Sequence, residues 1–203
     1  MQRTQVVRPH APAQPAPRRA ATAVEIRPAR PDDAERVRDF LAGLSARTRT
    51  LRFFTGVRPG PALVRALVTR DDRRDVLLAV RRTAYGEQVV GHAMSCRVAR
   101  PGESGAGEHA AREAVEIGVV VADEWQGRGI GERLVRRLLL RAAAGGAAEV
   151  VMEVLAENRR VLAAIRRRRP DAAMRAGGGT VEVNAALRDA EARLQNNVLL
   201  RHH

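Results

Sequence analysis

Hydrophobic and polar positions alternate most regularly in the second half of the chain. Residues 115–121 form a nearly continuous apolar run, typical of a central strand buried on both faces. A glycine-rich turn over 126–131 separates this run from 132–144, where apolar residues recur at helical spacing. Another strand is predicted over 149–155. The order strand, turn, helix, strand predicts a parallel strand pair joined by a right-handed crossover.

The remaining predicted elements are shorter and lie on either side of this unit. In chain order they are a strand over 24–27, a helix beginning near Asp32 or Asp33, a helical region over 45–54 and 61–69, strands over 76–81 and 88–98, a flexible connection over 99–113, a helix after Asn158 that Pro170 ends, and short strands over 172–175 and 180–183.

Length and composition predict one globular domain over residues 24–184. Residues 1–23 are rich in Pro, Ala and Arg, which predicts a disordered tail. Residues 185–203 form a second tail, with a helix left open and with a histidine pair at its end that resembles a tag remnant. The chain has neither an apolar run of roughly 20 residues nor a secretory signal, so we expect a cytoplasmic protein without a membrane span.

The chain is strongly basic, with 36 basic residues, all arginine, against 23 acidic ones. A basic body favours anionic ligands such as phosphorylated cofactors or acidic partner surfaces. Nucleic acid is disfavoured as a partner, because aromatic residues make up only 2% of the chain and offer few rings for stacking. Cys96 is the only cysteine, which excludes an internal disulfide and a multi-thiolate zinc site.

The turn from Gln126 to Gly131 lies where a strand meets a helix N-terminus, a place where free backbone N–H groups attract anions. A Walker A loop requires a lysine, and the chain has none. A dinucleotide fingerprint requires a third glycine where this chain has Glu132 or Leu134, depending on the phase.

The pattern Q-x-x-G-x-G, preceded by the strand Glu116–Val121, resembles the acetyl-CoA signature of the GNAT (GCN5-related N-acetyltransferase) family. The helix after the turn, the strand that follows and Asn158 match the family's order of elements. Residues 26–34 look like its first strand and helix, and residues 44–54 are similar to a bacterial branch that includes protein-lysine acetyltransferases. The resemblance covers about residues 24–184.

The resemblance implies an α/β (α+β) fold: a single GNAT-like domain with a mixed, mainly antiparallel sheet whose central parallel strand pair is splayed and flanked by helices. It implies an acetyl-CoA-dependent N-acetyltransferase that moves an acetyl group to an amine, either a protein lysine or a small amine, by direct attack in a ternary complex. Acetyl-CoA is then the cosubstrate, no metal is expected, and a homodimer is left open.

The resemblance also assigns roles to residues of this chain. The backbone of Val119, Val120 and Val121 would pair with the pantetheine arm. Asn158 would contact the pantetheine end, serve as a plain helix N-cap, or do both. The pyrophosphate would be held by the segment Gly127, Arg128, Gly129, Ile130 and Gly131 and by the amide of Glu132. Gln126 is a further residue expected to bind the cofactor.

Glu116 is the candidate general base, because an amine must lose a proton to attack and Glu116 is the only acid in the 115–121 run. The competing interpretation is a strand-end carboxylate paired with an arginine. Many family members carry a tyrosine seven or eight residues after the asparagine, whereas this chain has Ile165 and Arg166 there. Two other classes therefore stay open: a non-catalytic CoA-sensing module and a basic nucleic-acid-associated protein.

Other residues are predicted to be structural. Cys96 and His92 are interpreted as core residues, and residues 166–169 as a solvated basic helix end. Trp125 is expected either to cover the glycine turn or to pack beside it.

Overall fold

The computed structural model describes residues 23–56, 60–100 and 112–187. The predictions for residues 1–22, most of the 99–113 connection and residues 188–203 lie outside this range. The described elements are β1 (Val24–Pro28), α1 (Ala34–Gly43), α2 (Ala46–Phe53), α3 (Pro61–Ala66), β2 (Arg74–Thr83), β3 (Gly86–Arg100), β4 (Arg112–Val121), α4 (Ile130–Ala144), β5 (Glu149–Leu155), α5 (Arg159–Arg168), β6 (Ala173–Gly177) and β7 (Thr180–Ala186).

All seven described strands form one sheet in the order β1-β2-β3-β4-β5-β7-β6. Every neighbouring pair is antiparallel except β4 and β5, which are parallel. The mixed, mainly antiparallel sheet and its central parallel pair are therefore confirmed. The two parallel strands pair only at Ala114–Glu149, Val115–Val150 and Glu116–Val151, although both continue beyond these residues.

Apolar side chains form a core on each face of the sheet because successive strand residues point to opposite faces. On one face, Leu134 and Leu138 of α4 pack against a cluster that includes Val115 and Ile117 of β4. On the other face, α1 and α3 pack against β2 and β3, and Val120 of β4 joins this second cluster. A smaller cluster lies under α5. The two faces of β4 thus meet different surroundings.

The structure differs from the sequence prediction at three places. The helical segments predicted over 45–54 and 61–69 are two separate, shorter helices, and Phe54 ends the first of them in the left-handed region, at a φ of 59°. Strand β4 is not buried on both faces throughout, since Glu116, its last residue paired with β5, is exposed. At the other end, β7 continues past residue 184 to Ala186, and Leu187 lies in the core. No helix in the described residues is long and apolar enough to span a bilayer.

Candidate functional site

Strand β4 has an unpaired edge next to the helix α4. Its parallel pairing with β5 ends at Glu116, whereas its pairing with β3 continues to Val121 on the opposite edge. The backbone N–H and C=O groups of residues 117–121 that face β5 are therefore not hydrogen-bonded to that strand. Val119 and Val121 are half-buried and Val120 is buried. The three valines predicted to pair with pantetheine all lie on this open edge.

The glycine turn after β4 ends at an uncapped helix N-terminus. Gly127 and Gly129 both have a φ of 75°, in the left-handed region that glycine adopts at little cost. Gly129 is the N-cap residue of α4 and offers no side chain to the first helical amides. The first intrahelical bond runs from Arg133 N to Gly129 O, so the amides of residues 130–132 have no intrahelical acceptor. This arrangement is suited to an anion.

Charged and aromatic side chains surround the turn. Arg128 is exposed and places its guanidinium 4.7 Å from the centre of the Trp125 ring. Trp125 itself is buried in the α4 core, so it packs beside the turn rather than over it. Glu132 is held by Arg168, whose Nε donates to it over 3.1 Å. The Arg160 Nη2 atom lies 3.2 Å from where a Cβ on Gly127 would be, so Arg160 adds positive charge that the sequence prediction missed.

A polar network fixes the turn against α2. The Gln126 amide donates to Val121 O over 3.1 Å and to Thr48 Oγ1 over 3.3 Å. Asp123 accepts hydrogen bonds from Ser45 N at 3.0 Å and from Thr48 Oγ1 at 2.7 Å. The Gln126 side chain thus holds the turn in place, and its predicted role in cofactor binding stays a prediction.

Asp123 is held as a carboxylate by these hydrogen bonds. Burial alone would raise its pKa, but the bonds from the Ser45 and Thr48 groups outweigh burial and lower the pKa below the ordinary value. Ser45 also caps α2, since its Oγ accepts from Thr48 N over 3.1 Å. The sequence contains these residues 75 or more positions apart, so no local pattern indicated the contact.

Glu116 is the last residue of β4 that pairs with β5. It lies opposite Val151 of β5 and Cys96 of β3. It is exposed, and within the described ranges no ion pair of 4.0 Å or less joins it to an arginine. The competing interpretation of a paired strand-end carboxylate is therefore not what the structure holds. Two residues further on, the Arg52 side chain from α2 lies against Gly118. Sequence reasoning missed Arg52 completely.

Asn158 begins α5 as its N-cap residue. Its Oδ1 accepts from Val161 N over 3.4 Å, which is the structural role that the sequence left open. At the family's tyrosine positions, Ile165 packs into the small core cluster and Arg166 is exposed. Tyr85, the only tyrosine of the chain, lies fully exposed between β2 and β3.

His92 and Cys96 occupy structural positions on β3. The His92 ring is buried and forms a 2.8 Å hydrogen bond with Leu67 O. Burial lowers the pKa of His92 to about 4, so the ring is neutral at pH 7. Burial raises the pKa of the half-buried Cys96 thiol, which disfavours the thiolate that an acyl relay would need. Among the described residues, no group of three or more His, Cys, Asp or Glu residues could hold a metal ion.

Residues 47–168 match the model of the Acetyltransferase (GNAT) family, which is more than half of the chain. The chain belongs to the GNAT acetyltransferase family. Membership makes it an acetyl-CoA-dependent acyltransferase of the N-acetyltransferase class. No curated protein sequence matches the chain.

Solved structures share the fold. The GNAT domain of S. lividans PAT aligns with a TM-score of 0.67 and 24% identity, over 80% of this chain and 90% of that one. A GNAT acetyltransferase from Streptococcus pneumoniae aligns with a TM-score of 0.60 and 14% identity, over 81% and 99% of the two chains. Arabidopsis thaliana NAA60 in complex with acetyl-CoA aligns with a TM-score of 0.59 and 16% identity, over 81% and 97%.

The residues present fit acetyl-CoA on structural grounds. The uncapped α4 N-terminus and its left-handed glycines suit a pyrophosphate, and Arg128 and Arg160 add positive charge beside it. The open edge of β4 runs from this turn back to Glu116, a span of five residues or about 17 Å of extended strand. An extended arm carrying amide groups can pair with such an edge as an added strand.

Proposed function

We propose that this acetyltransferase moves an acetyl group directly from acetyl-CoA to an amine acceptor, with Glu116 as the general base. One observation carries the proposal: Glu116 lies where β4 and β5 stop pairing, at the start of the open edge that leads to the α4 N-terminus. A carboxylate at that point is suited to take a proton from an amine brought against the thioester.

In this mechanism the chain's own groups bind, orient and accept a proton. The amides of residues 130–132, with Arg128 and Arg160 beside them, hold the pyrophosphate, and the edge of Val119, Val120 and Val121 holds the pantetheine arm. Glu116 accepts the proton that the attacking amine loses. Backbone N–H groups of the same edge stabilise negative charge on the carbonyl oxygen. The thioester supplies the acyl group, and its thiolate leaves.

The absence of a tyrosine at Ile165 and Arg166 favours a second candidate, a CoA-binding module without turnover. A thiol has a pKa of about 8.5, so its thiolate leaves without a dedicated acid at reduced rate. Slower transfer is therefore the expectation from this departure, rather than none.

The test is thiol release from acetyl-CoA with a panel of acceptors: lysine peptides, polyamines, amino sugars and free amino acids. With any active acceptor, Glu116→Gln should reduce the single-turnover rate by 10² to 10⁴-fold, as removal of a general base does. Glu113→Gln, an exposed carboxylate on the same strand, is the matched control. Absence of thiol release with every acceptor, while acetyl-CoA still binds, would support the non-catalytic module.

Cofactor binding is tested separately by thermal unfolding. A ligand at 100 times its Kd stabilises the folded state by about 2.7 kcal/mol, so CoA and acetyl-CoA should raise the Tm while NAD and ATP should not. Gly129→Val should abolish this shift, because a β-branched residue is strained at a φ of 75° and carries bulk toward the pyrophosphate. Gly146→Ala, at the far end of α4 with a φ of 89°, controls for strain alone.

Protein lysine and small amines both stay open as acceptors. The domain limits of 24–184, the bacterial branch, the cytoplasmic location and a homodimer stay predictions as well. The acceptor panel separates the substrate classes, and sedimentation of the full chain gives the oligomeric state.

A further inference from the structure

We propose that Arg52 is a recognition residue that binds a carboxylate of the substrate on the α2 side of β4, beside Glu116. The carboxylate belongs either to the acceptor amine or to the far end of the transferred acyl chain. This inference rests on the proposed function, because it adds a specificity group to the same site.

The position of Arg52 depends on a glycine. A Cβ on Gly118 would lie 2.9 Å from Arg52 Nε and closer still to the rest of the guanidinium. Any other residue at 118 would therefore displace this group. Gly118 and Glu116 are two residues apart on β4, so they face the same side of the sheet, roughly 7 Å apart along the strand. Arg52 thus lies on the side of the sheet that Glu116 faces.

The hydrogen bonding of Arg52 is incomplete. Its Nε is buried and has no hydrogen-bond partner in the part of the chain that the structure describes, where it is the only side-chain atom in this condition. Native proteins rarely leave a buried donor unpaired, least of all on a charged group. Arginine typically binds a carboxylate through two parallel N–H bonds, which Nε and one terminal nitrogen can supply. Arg52 as a whole residue is only partly buried, although its Nε atom is itself inaccessible.

The neighbours of Arg52 do not supply the missing acceptor. Its guanidinium stacks on the adjacent Phe53 ring at 5.0 Å. His92 is neutral on the same side of the sheet, and the Cys96 thiol is protonated at pH 7. Glu116 is the acid that acts on Arg52, but the two form no ion pair within 4.0 Å. A cation without a bound counter-ion beside the reacting group favours an anionic substrate.

The experiment compares substrates that differ by one carboxylate. In the acceptor arm, kcat/KM is measured for amino acids against their carboxamides. In the donor arm, kcat/KM and the Kd from calorimetry are measured for succinyl-CoA against acetyl-CoA. We expect one arm to show a preference for the carboxylate form in the full wild-type chain, and the responding arm identifies its source.

Arg52→Gln should reduce that preference at least about tenfold, since hydrogen bonds to a charged group are worth more than one decade in affinity. Arg52→Lys should retain part of it, because a point charge replaces the two-pronged contact. Arg47→Gln removes an exposed arginine of the same helix and should leave the ratio unchanged. Gly118→Ala displaces the guanidinium while keeping Arg52, and should reproduce the loss of preference if Arg52→Gln folds poorly.

An equal loss with both members of each substrate pair would overturn the inference and make Arg52 a positioning residue for Glu116. A wild-type chain without carboxylate preference in either arm would overturn it as well. Thiol release with an unchanged ratio contradicts only the role of Arg52. No thiol release from any pair contradicts the proposed function, and calorimetry then tests Arg52 alone: equal Kd values within both pairs, the two acyl-CoA donors and the amino acid with its carboxamide, would contradict its role too.

Discussion

Two arginines are packed against this sheet, and their surroundings are opposite. Arg27 of β1 donates from both terminal nitrogens to the two oxygens of Asp33, each over 2.7 Å, and also to Glu87 over 2.6 Å. Arg52 of α2 is buried at Nε without an acceptor. The first guanidinium is therefore neutralised by the fold, whereas the second is not.

The difference is also visible in how each site titrates. Hydrogen bonding with Asp33 raises the pKa of Arg27 against the opposing effect of burial, whereas burial lowers the pKa of Arg52. For Asp33, burial would raise the pKa, but hydrogen bonds from Arg27 and from Arg30 N outweigh it and lower the pKa to about 2. A paired buried charge serves the fold, and an unpaired one at an open strand edge is available to a ligand.

Replacing Arg27 should have the largest effect. Arg27→Met leaves Asp33, whose side chain is 0% exposed, as a buried carboxylate that keeps only its Arg36 and backbone contacts. Breaking one side of a buried pair costs about 3–5 kcal/mol, and urea unfolding should show this loss. Arg38→Met, which removes only exposed pairs with Glu35 and Asp39, should cost less than about 0.5 kcal/mol. Similar midpoints for the two variants would contradict the assigned role of Arg27.

As the pH falls, the region around Arg52 should lose stability at a higher pH than the region around Arg27. Burial and, to a smaller extent, the charge of Arg52 lower the folded pKa of His92 to about 4, below the ordinary value of 6.5. The unfolded chain therefore binds a proton first, so the free energy of unfolding should fall by about 3 kcal/mol as the pH drops from 6.5 to 4. The contribution of Asp33 is fully present above pH 3.8 and is lost only as the pH falls toward 2.

Urea unfolding at a series of pH values tests this separation. His92→Gln should remove the slope between pH 6.5 and 4 and leave the loss at lower pH in place. Arg52→Met should shift the His92 midpoint upward, because the charge of Arg52 lowers the pKa of His92. A His92 proton resonance that titrates near pH 6.5 in the folded protein would contradict the buried, neutral ring.

The elements around the open edge of β4 were predictable because their sequence patterns are local. An apolar run, a glycine turn and an amphipathic helix in succession specify β4, α4 and β5, and the structure has all three in parallel order. The length of the parallel pairing was not predictable, since it depends on where β5 diverges from β4 after Glu116. Likewise, aspartate is a residue type that favours the start of a helix, but the Asp33 carboxylate accepts hydrogen bonds from Arg27 of β1.

The glycine turn on which the site prediction rests has a local sequence signal, whereas contacts made by side chains from distant segments have none. The glycines at 127 and 129 are specified by the turn itself. Gln126, by contrast, spends its amide on Val121 and Thr48, and Asn158 caps its own helix. The role of Arg52 could not be predicted, because it depends on a contact with Gly118, 66 positions further along the chain. One arginine among 36 has no distinguishing sequence pattern.

The attachment of α2 to the turn should have a smaller effect than the Arg27 network. Asp123→Ala removes the acceptor that Ser45 N and Thr48 Oγ1 share, which should cost about 1–3 kcal/mol and speed amide exchange in α2. Glu124→Gln, a substitution at the neighbouring exposed position, should change neither the free energy of unfolding nor the rate of amide exchange in α2. If α2 is held by Asp123, the carboxylate preference assigned to Arg52 should weaken in Asp123→Ala as well. Unchanged exchange in α2 would show that the apolar contacts alone position this helix.

The smallest expected change in stability is also the most direct test of whether Arg52, unlike Arg27, lacks a partner within the fold. Arg52→Met should leave the free energy of unfolding within about 1 kcal/mol of wild type or raise it, opposite in direction to Arg27→Met. Methionine is unbranched and fills the space over Gly118, it has no donor to leave unpaired, and it stacks on Phe53 as the guanidinium does. Because the two arginines share no partner, the double variant should show additive effects. A loss above about 2 kcal/mol in Arg52→Met would mean that Arg52 is paired in the folded protein in solution, and a cation already satisfied by the fold would have no reason to bind a substrate carboxylate.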